Sequence, residues 1–240
     1  MWDNNSCAYD TVITILYNLW LASPRYWTEA FNAIGSEYLQ LLKVQFEAVS
    51  KGVMTLDIAR NNFRDLLASK HCQLFRDGNF ASVDQIITYV FEGLYVVMTS
   101  HIECPHQHVV GQTMTSYNSY ISIGGVMAEY GMVSVSDIIN SCTTESMHEC
   151  PMCGFQQIHL YSIVTAPPLL IVDTSMYAVE ITKTLTLQVN NVEHRYKLYA
   201  AVYFGLNHFT CIVLDAYNQI WYHDGLRIGR SLINLGFLTD

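Results

Sequence analysis

The spacing of apolar residues divides the chain into a helical first part and a strand-rich second part. Up to about residue 95, apolar side chains recur every three or four positions, a period typical of amphipathic helices. Ser23 and Ser82 are placed as N-caps, and Pro24 stands where a first helical residue is expected. We predict helices over residues 7–20, 23–34, 35–52, 55–71 and 82–94.

Near residue 96 the pattern changes to short runs rich in Val, Ile, Thr and Tyr, separated by turn residues. One helix, predicted over residues 134–142, interrupts these runs. Helices followed by strands indicate an α+β fold with segregated layers. We predict strands within residues 96–104, 117–125, 155–165, 167–175, 179–189, 195–205, 208–217 and 219–224.

Composition narrows the class of protein. Hydrophobic residues make up 51% of the 240 residues and charged residues 14%, as in a compact globular protein. The net charge of −9, with only 12 Lys and Arg and no basic run, argues against a nucleic-acid partner. No apolar run approaches the roughly 18 residues of a membrane span. Seven cysteines, an odd number, favour reduced thiols, so we expect an intracellular protein, nuclear or cytoplasmic.

Cys7 has an unusual setting for a structural cysteine. Polar residues precede it and an apolar helix follows, so it stands at a predicted helix N-terminus, where a thiolate is favoured. A cysteine nucleophile needs an imidazole, and that imidazole needs a third group to orient it. His208 opens a predicted strand and Asp224 ends the next one. An antiparallel hairpin would bring these two side chains together, so the three residues form a candidate catalytic triad.

Four landmarks in order resemble the ubiquitin-specific protease superfamily. The stretch around Cys7, NNSCAYDTVITIL, is similar to its cysteine box, and YKLYAAVYFGLNHFTCIVLDAYNQIWYHDG is similar to its histidine box. Between them, TAPPLLIVDTS and VEITKTLTL resemble two of its strands. The resemblance covers essentially the whole chain. It implies a papain-like cysteine protease with a single catalytic domain over residues 1–240, in which residues 1–95 form a helical thumb and residues 96–240 a β palm with fingers.

Within this superfamily the chain most resembles the branch of SUMO isopeptidases. Asp10 lies three residues after Cys7, Phe209 follows His208, and Asp224 comes 16 residues after His208, as in that branch. The resemblance therefore implies a thiol-dependent isopeptidase that cleaves after the C-terminal Gly-Gly of a ubiquitin-like modifier, with SUMO favoured over ubiquitin. The alternatives are a conventional deubiquitinase and an inactive module that binds ubiquitin or SUMO.

The resemblance also implies a role for each residue. Cys7 attacks the carbonyl, His208 carries the proton and Asp224 orients His208, without a catalytic cofactor. The backbone N–H of Cys7 is one oxyanion donor. The family's usual second donor, an Asn five positions before the nucleophile, is replaced by Trp2. Asn5 is our substitute candidate.

A second group of residues has the spacing of metal ligands. Cys150 and Cys153 form a CPxCG knuckle, which lets two thiolates reach one Zn²⁺ from a tight turn. The segment SHIECPHQH offers Cys104 and three histidines, and spacing alone does not choose among them. These clusters, at residues 101–108 and 148–154, resemble the zinc-binding knuckles at the tip of the family's fingers. We favour a structural zinc site formed by Cys104, His108, Cys150 and Cys153.

Overall fold

The computed structural model describes residues 6–76, 78–108, 113–122, 134–136, 139, 143–174, 180–229 and 231–238. The chain forms two compact units: Met1–Val90 with Tyr199–Asp240, and Phe91–Leu198. The helices of the described residues are α1 (Cys7–Ala22), α2 (Pro24–Ile34), α3 (Glu37–Ser50), α4 (Leu56–Lys70) and α5 (Val83–Val90). The strands are β1 (Met98–Glu103), β2 (Met114–Ser116), β3 (Tyr120–Ser122), β4 (Thr143–Glu149), β5 (Gln156–Ile163), β6 (Ile171–Asp173), β7 (Thr184–Val189), β8 (Val192–Lys197), β9 (Ala200–Gly205), β10 (His208–Leu214), β11 (Gln219–His223) and β12 (Ile233–Phe237).

Local sequence signals explain where the helices begin and end. Pro24 stands at the start of α2, and Gly35 ends that helix in the left-handed conformation, with φ of 81°. Thr55 caps α4 by accepting a bond from the Ile58 N–H. Ser82 forms a capping box before α5, because its backbone N–H donates to the Gln85 side chain and its hydroxyl accepts from the Gln85 N–H.

The first unit is built around α1. This helix packs against the other four helices and against β10. Burial of apolar side chains is the main favourable contribution to the free energy of folding. The largest fully buried side chains of this unit come from several helices. They include Ile13, Phe31, Leu39, Phe46 and Phe63. The C-terminal strands form an antiparallel sheet in the order β12-β11-β10-β9.

The second unit consists mainly of strands. Its largest sheet has the order β2-β1-β5-β4, and all of its pairs are antiparallel. A parallel pair, β3-β6, and a hairpin, β7-β8, complete the described strands. Leu185, Leu187 and Val189 point to one side of β7 and pack with Val135 and Ile139. This alternation of buried and solvent-facing residues is expected of a strand with one covered face.

The α+β prediction is confirmed, because helices occupy the first part of the chain and mostly antiparallel strands the second. One strand prediction was wrong: residues 195–205 divide into the end of β8 and all of β9, which belong to different sheets. Strands β2, β4 and β12 were not predicted. The helix over residues 134–142 lies largely outside the described residues. The single catalytic domain over 1–240 stays a prediction.

None of the described helices combines the length and the apolar character needed to cross a membrane.

Candidate active site and candidate metal centre

Two hairpins place His208 beside Asp224. The turn from β9 to β10 has Leu206 and Asn207 at φ of 52° and 57°, so both central residues have the positive φ of a type I′ turn. His208 is therefore the first residue of β10. The strand then pairs with β11, which ends one residue before Asp224. The ring Nε2 of His208 lies 2.9 Å from Asp224 Oδ1.

Asp224 is buried, with 2% of its surface exposed, and is held by several donors. Oδ1 accepts from the backbone N–H groups of Leu226 and Arg227, each at 3.1 Å, and Oδ2 accepts from the Tyr222 hydroxyl at 3.2 Å. Burial acts to raise the pKa of Asp224, but the Arg227 N–H, the His208 ring and the Tyr222 hydroxyl outweigh it, so the pKa lies below its ordinary value. Asp224 is therefore an anion at neutral pH.

This carboxylate determines which nitrogen of His208 carries the proton. An ionised carboxylate only accepts hydrogen bonds, so Nε2 of His208 donates to Asp224. In the neutral ring Nδ1 is then left with its lone pair. His208 is mostly buried, with 14% of its side chain exposed. In this tautomer, Nδ1 is the ring atom that can accept a proton.

Cys7 is the first residue of α1, after Ser6 as N-cap. It is buried, with 5% of its surface exposed, and its helix packs against β10, the strand that begins with His208. Among the described residues, no hydrogen bond joins Cys7 Sγ to the His208 ring. Asn5, the predicted second oxyanion donor, lies outside the described residues.

Sequence reasoning missed a largely buried chain of polar side chains next to Cys7. The Ser6 hydroxyl donates to Asp10 Oδ2 at 2.6 Å, and Asp10 Oδ1 accepts from Arg60 Nη1 at 2.7 Å. Arg60 lies in α4, 50 residues after Asp10, so no local pattern announces this pair.

His223, the residue before Asp224, was predicted to be structural or solvent-facing. It is buried, with 4% of its surface exposed, so it does not face solvent. Its Nδ1 lies 3.3 Å from the Ser231 carbonyl oxygen. Burial lowers the pKa of His223, which keeps the ring neutral.

In the second unit, sheet topology brings the two knuckles together. Both β1 and β4 run antiparallel to β5, so both end beside its first residues. Cys104 follows β1 and begins a turn in which the Gln107 N–H donates to its carbonyl. Cys150 follows β4, and the Gly154 N–H donates to its carbonyl in the tight turn. Gly154 has φ of 72°, a conformation that favours glycine.

Four ligand atoms converge at this point, one each from Cys104, His108, Cys150 and Cys153, and all lie within 4.8 Å of one another. Cys104 Sγ is 3.4 Å from Cys153 Sγ, and His108 Nδ1 is 3.6 Å from Cys104 Sγ and 3.5 Å from Cys150 Sγ. With Zn–S bonds of about 2.3 Å, a tetrahedral ion separates its ligands by about 3.5–3.8 Å. The donor set and the spacing fit Zn²⁺.

The other two histidines of this segment have different neighbours. His101 lies in β1, with its Nε2 2.9 Å from Glu103 Oε1. The ring of His106 packs edge-on against Phe155, with centroids 4.4 Å apart. Neither is part of the cluster, so the structure selects His108 among the three histidines that spacing left open.

The thiols of the cluster differ in acidity. Burial acts to raise the pKa of Cys150, but hydrogen bonds from backbone N–H groups and from His108 lower it to about 6. For Cys153, the Phe155 N–H acts to lower the pKa, while burial and the neighbouring sulfurs of Cys104 and Cys150 raise it to about 11. Zinc binds thiolates and not thiols, so an ion at this point would stabilise the deprotonated form of its cysteine ligands.

No protein-family profile matches the chain, and no curated protein matches it. Solved structures overlap with most of its length. One is described as yeast SAGA DUBm with a mutant Sgf73: it has a TM-score of 0.49 and 9% identity, over 97% of this chain and 63% of that chain. A SAGA DUB module of Ubp8, Sgf11, Sus1 and Sgf73 gives 0.45 and 11%, over 97% and 62%. The Saccharomyces cerevisiae PAN2 pseudoubiquitin-hydrolase gives 0.38 and 12%, over 91% and 76%.

The chain thus spans about 63% of the length of the SAGA structure with the higher of these TM-scores.

Proposed function

We propose that the chain is a cysteine isopeptidase of the ubiquitin-specific protease kind, which removes a ubiquitin-like modifier by cleaving after its C-terminal Gly-Gly. The observation that carries the proposal is the hydrogen bond between His208 Nε2 and the buried Asp224 carboxylate, at 2.9 Å. This contact provides an oriented general base. The ordered resemblance of the segments around Cys7 and His208 to the family's two catalytic boxes supplies the nucleophile.

The reaction requires a proton to move from Cys7 to His208 and then to the leaving group. The Cys7 thiolate attacks the carbonyl carbon of the modifier's last glycine, and a tetrahedral oxyanion forms that the Cys7 N–H stabilises. The His208 imidazolium protonates the leaving lysine amine as the C–N bond breaks, which leaves a thioester. His208 then takes a proton from the water whose oxygen attacks the thioester, and as the C–S bond breaks the imidazolium returns that proton to the Cys7 sulfur. The modifier leaves with a free carboxyl group, which loses its proton to solvent. Asp224 stays ionised throughout and stabilises the imidazolium.

Cys7 is buried in the chain without substrate, with 5% of its surface exposed. Catalytic hydrogen bonds are often long or poorly aligned in a free enzyme and tighten only when substrate binds. Cys7 is the first residue of α1, at the end of the helix where the dipole presents a partial positive charge. We therefore propose that substrate binding completes the alignment of Cys7 Sγ with His208 Nδ1.

The identity of the modifier is the finer part of the proposal. SUMO is favoured by the residues that resemble the SUMO isopeptidase branch, which are Asp10, Phe209 and the 16-residue step from His208 to Asp224. A conventional deubiquitinase shares the same triad. We further propose that residues 1–95 and 96–240 are the thumb and the palm with fingers of one catalytic domain that works inside the cell, in the nucleus or cytoplasm.

A second candidate function is an inactive module that binds ubiquitin or SUMO. It is favoured by the 5% exposure of Cys7 and by the lack, among the described residues, of a hydrogen bond from its sulfur to His208. A binding module needs neither an accessible cysteine nor a hydrogen bond between Cys7 and His208. The two candidates differ in covalent chemistry, which makes them separable by experiment.

The test offers ubiquitin, SUMO and NEDD8 propargylamide probes to the purified chain in parallel. We expect a covalent adduct with one of them, lost in Cys7→Ala and retained in the matched control Cys72→Ala, which removes an exposed cysteine of the same unit. An adduct identifies both the nucleophile and the modifier. Binding of a probe without any adduct would support the inactive module, and an adduct that survives Cys7→Ala would refute the triad.

We also propose that Cys104, His108, Cys150 and Cys153 hold a structural zinc ion that stabilises the second unit. Catalysis needs no metal in this scheme. Metal analysis of the purified chain should give about one zinc per chain, as expected for a closed four-ligand site. A zinc-free chain that stays folded would refute this site without affecting the triad.

A further inference from the structure

The turn that carries Cys7 is joined to α4 by a chain of polar side chains, of which Ser6 and Arg60 are buried and Asp10 is 17% exposed. Ser6 is fully buried, and its hydroxyl donates to Asp10 Oδ2 at 2.6 Å. Asp10 Oδ1 in turn accepts from Arg60 Nη1 at 2.7 Å, and Arg60 is only 4% exposed. The residues on either side of Cys7 in this turn are therefore connected to a guanidinium in another helix.

This chain replaces the usual helix cap. Ser6 is the N-cap residue of α1, but it has helical φ and ψ of −80° and −3° and makes no side-chain bond to the backbone of the first turn. A Ser at this position ordinarily accepts from the N–H of the second or third helical residue. Here the hydroxyl bonds to Asp10 instead, while the Asp10 N–H donates to the Ser6 carbonyl at 2.8 Å. Residues 6 and 10 are thus held together by both backbone and side chains.

Arg60 is itself rigidly held. Its Nε and Nη2 both donate to Asn61 Oδ1, at 3.1 and 3.0 Å, so both edges of the guanidinium have a partner. Nη1 also lies 3.7 Å from Asp57 Oδ1. A buried guanidinium with this many contacts fixes the position of the carboxylate it binds, because its planar fork has little rotational freedom left.

Arg60 also changes the electrostatics around Cys7. Asp10 is the acidic residue in the first turn of α1, three residues after Cys7. Arg60 offsets this negative charge at 2.7 Å in a largely buried setting, where screening by water is weak. Arg60 therefore both holds Asp10 in place and offsets the negative charge that Asp10 brings to this turn.

We propose that Arg60 is a positioning residue for catalysis: acting through Asp10 and Ser6, it fixes the turn that presents the Cys7 sulfur and backbone N–H. The inference rests on the proposed function of Cys7 as the nucleophile. Arg60 touches no reacting atom. Its effect is on how often the Cys7 turn has the geometry that the reaction needs.

The test compares Arg60→Gln, Arg60→Lys and Ser6→Ala with the unmodified chain, on an aminocoumarin amide of whichever modifier forms the adduct. Arg60→Gln should lower kcat by about 10²-fold with little change in KM, as a misplacement of about 1 Å does. Arg60→Lys keeps the charge and should recover part of the loss. Ser6→Ala leaves no buried charge unpaired and should give a smaller fall in kcat.

Three cysteines of the first unit separate positioning from unfolding. Each variant is treated with iodoacetamide, and the alkylation rates of Cys7, Cys72 and Cys211 are measured by mass spectrometry. Cys72 is exposed and serves as the reference. Cys211 is fully buried, and burial raises its pKa to about 12, so it reacts only if the unit opens. We expect Cys7 to react more slowly in Arg60→Gln while the other two rates do not change.

Arg25→Gln is the matched control, because it removes an arginine charge from an exposed position of the same unit, where the side chain is 93% exposed. The inference is wrong if Arg60→Gln and Ser6→Ala match this control in kcat and in Cys7 alkylation. It is also wrong if every loss of activity is accompanied by faster alkylation of Cys211, since the network then only stabilises the fold. If no modifier reacts with the unmodified chain, the proposed function fails, while the alkylation rates still decide whether Arg60 positions Cys7.

Discussion

The two candidate sites stabilise negative charge in different ways. In the first unit, the Asp224 carboxylate is satisfied by donors of the protein itself, namely two backbone N–H groups, the Tyr222 hydroxyl and the His208 ring. In the second unit, three sulfurs and one imidazole nitrogen crowd within 4.8 Å of one another. A donor-satisfied carboxylate needs no ion, whereas three thiolates at this spacing need a cation to offset their charge. The first site should therefore tolerate chelators, and the second should not.

The largest expected effect is on the first site. In Asp224→Asn, the side-chain amide can donate to the His208 ring and so favour the wrong tautomer, with the proton on Nδ1. We expect the rate of probe adduct formation to fall roughly 10³- to 10⁴-fold, as for a triad that loses its carboxylate. The zinc content should stay the same. A variant with an unchanged adduct rate would show that Asp224 does not orient the base.

Removal of the metal should act on the second unit instead. Cys150→Ser, or a strong chelator, should release the zinc and lower the free energy of unfolding of this unit by at least about 3 kcal/mol, a fraction of the roughly 10–16 kcal/mol that structural zinc supplies in small peptides. The measurement is zinc content together with urea unfolding followed by far-UV circular dichroism.

Two matched variants test the ligand set. Cys72→Ser removes a cysteine outside the cluster, and His106→Asn removes the neighbouring histidine that packs on Phe155. Both should keep the zinc, while His108→Asn should lose it. Zinc loss in His106→Asn with retention in His108→Asn would reverse the choice between the two histidines.

Acid should reduce the stability of the first unit through Asp224. Because its pKa is lower in the folded chain than in the unfolded one, the stabilisation is fully present above the unfolded value near 3.8 and is lost as the pH falls below it. Urea unfolding of the unmodified chain and of Asp224→Asn between about pH 5 and pH 3 measures this contribution. The free energy of unfolding should fall more steeply with acid in the unmodified chain, and equal slopes would contradict the pKa shift.

The smallest expected effect concerns the turn before His208. Leu206 has a positive φ of 52° and is 94% exposed, so its side chain contributes little packing to offset the unfavourable backbone conformation. Leu206→Gly should stabilise the first unit by about 0.5–1 kcal/mol, because glycine adopts this conformation without a Cβ clash. Thermal unfolding measures the change. Val202→Gly, within β9, is the matched control and should destabilise instead.

Much of the first site follows from local patterns. The period of apolar residues predicts α1 to α4 to within two residues at each end, whereas α5 ends at Val90, four residues before its predicted end. The turn residues before His208 and after Leu214 predict the two paired strands that bring His208 and Asp224 together. The metal cluster also follows from spacing, because CPxCG constrains two ligands within one turn. His108 required the structure, since Cys104 has three histidines within four residues.

The division at residues 198 and 199 shows where local patterns fail. The run from residue 195 to 205 has strand character throughout, yet β8 pairs with β7 and β9 pairs with β10, in different units. Composition indicates that a segment is suited to a strand, but it does not indicate with which other strand that segment pairs. The same limit explains why β4 was not predicted. Its sequence, TTESMHE, is mostly polar, and it is identified as a strand only by its pairing with β5.

The order of helices and strands, the cysteine at a helix start and the histidine–aspartate hairpin can all be derived from residues that are neighbours along the chain or lie within one hairpin. The pairing of Asp10 with Arg60, the choice of His108 and the burial of Cys7 depend on residues that folding alone brings into contact. Local periodicity reports that a side chain needs a partner or a covered face, and it carries no information about which distant residue provides it.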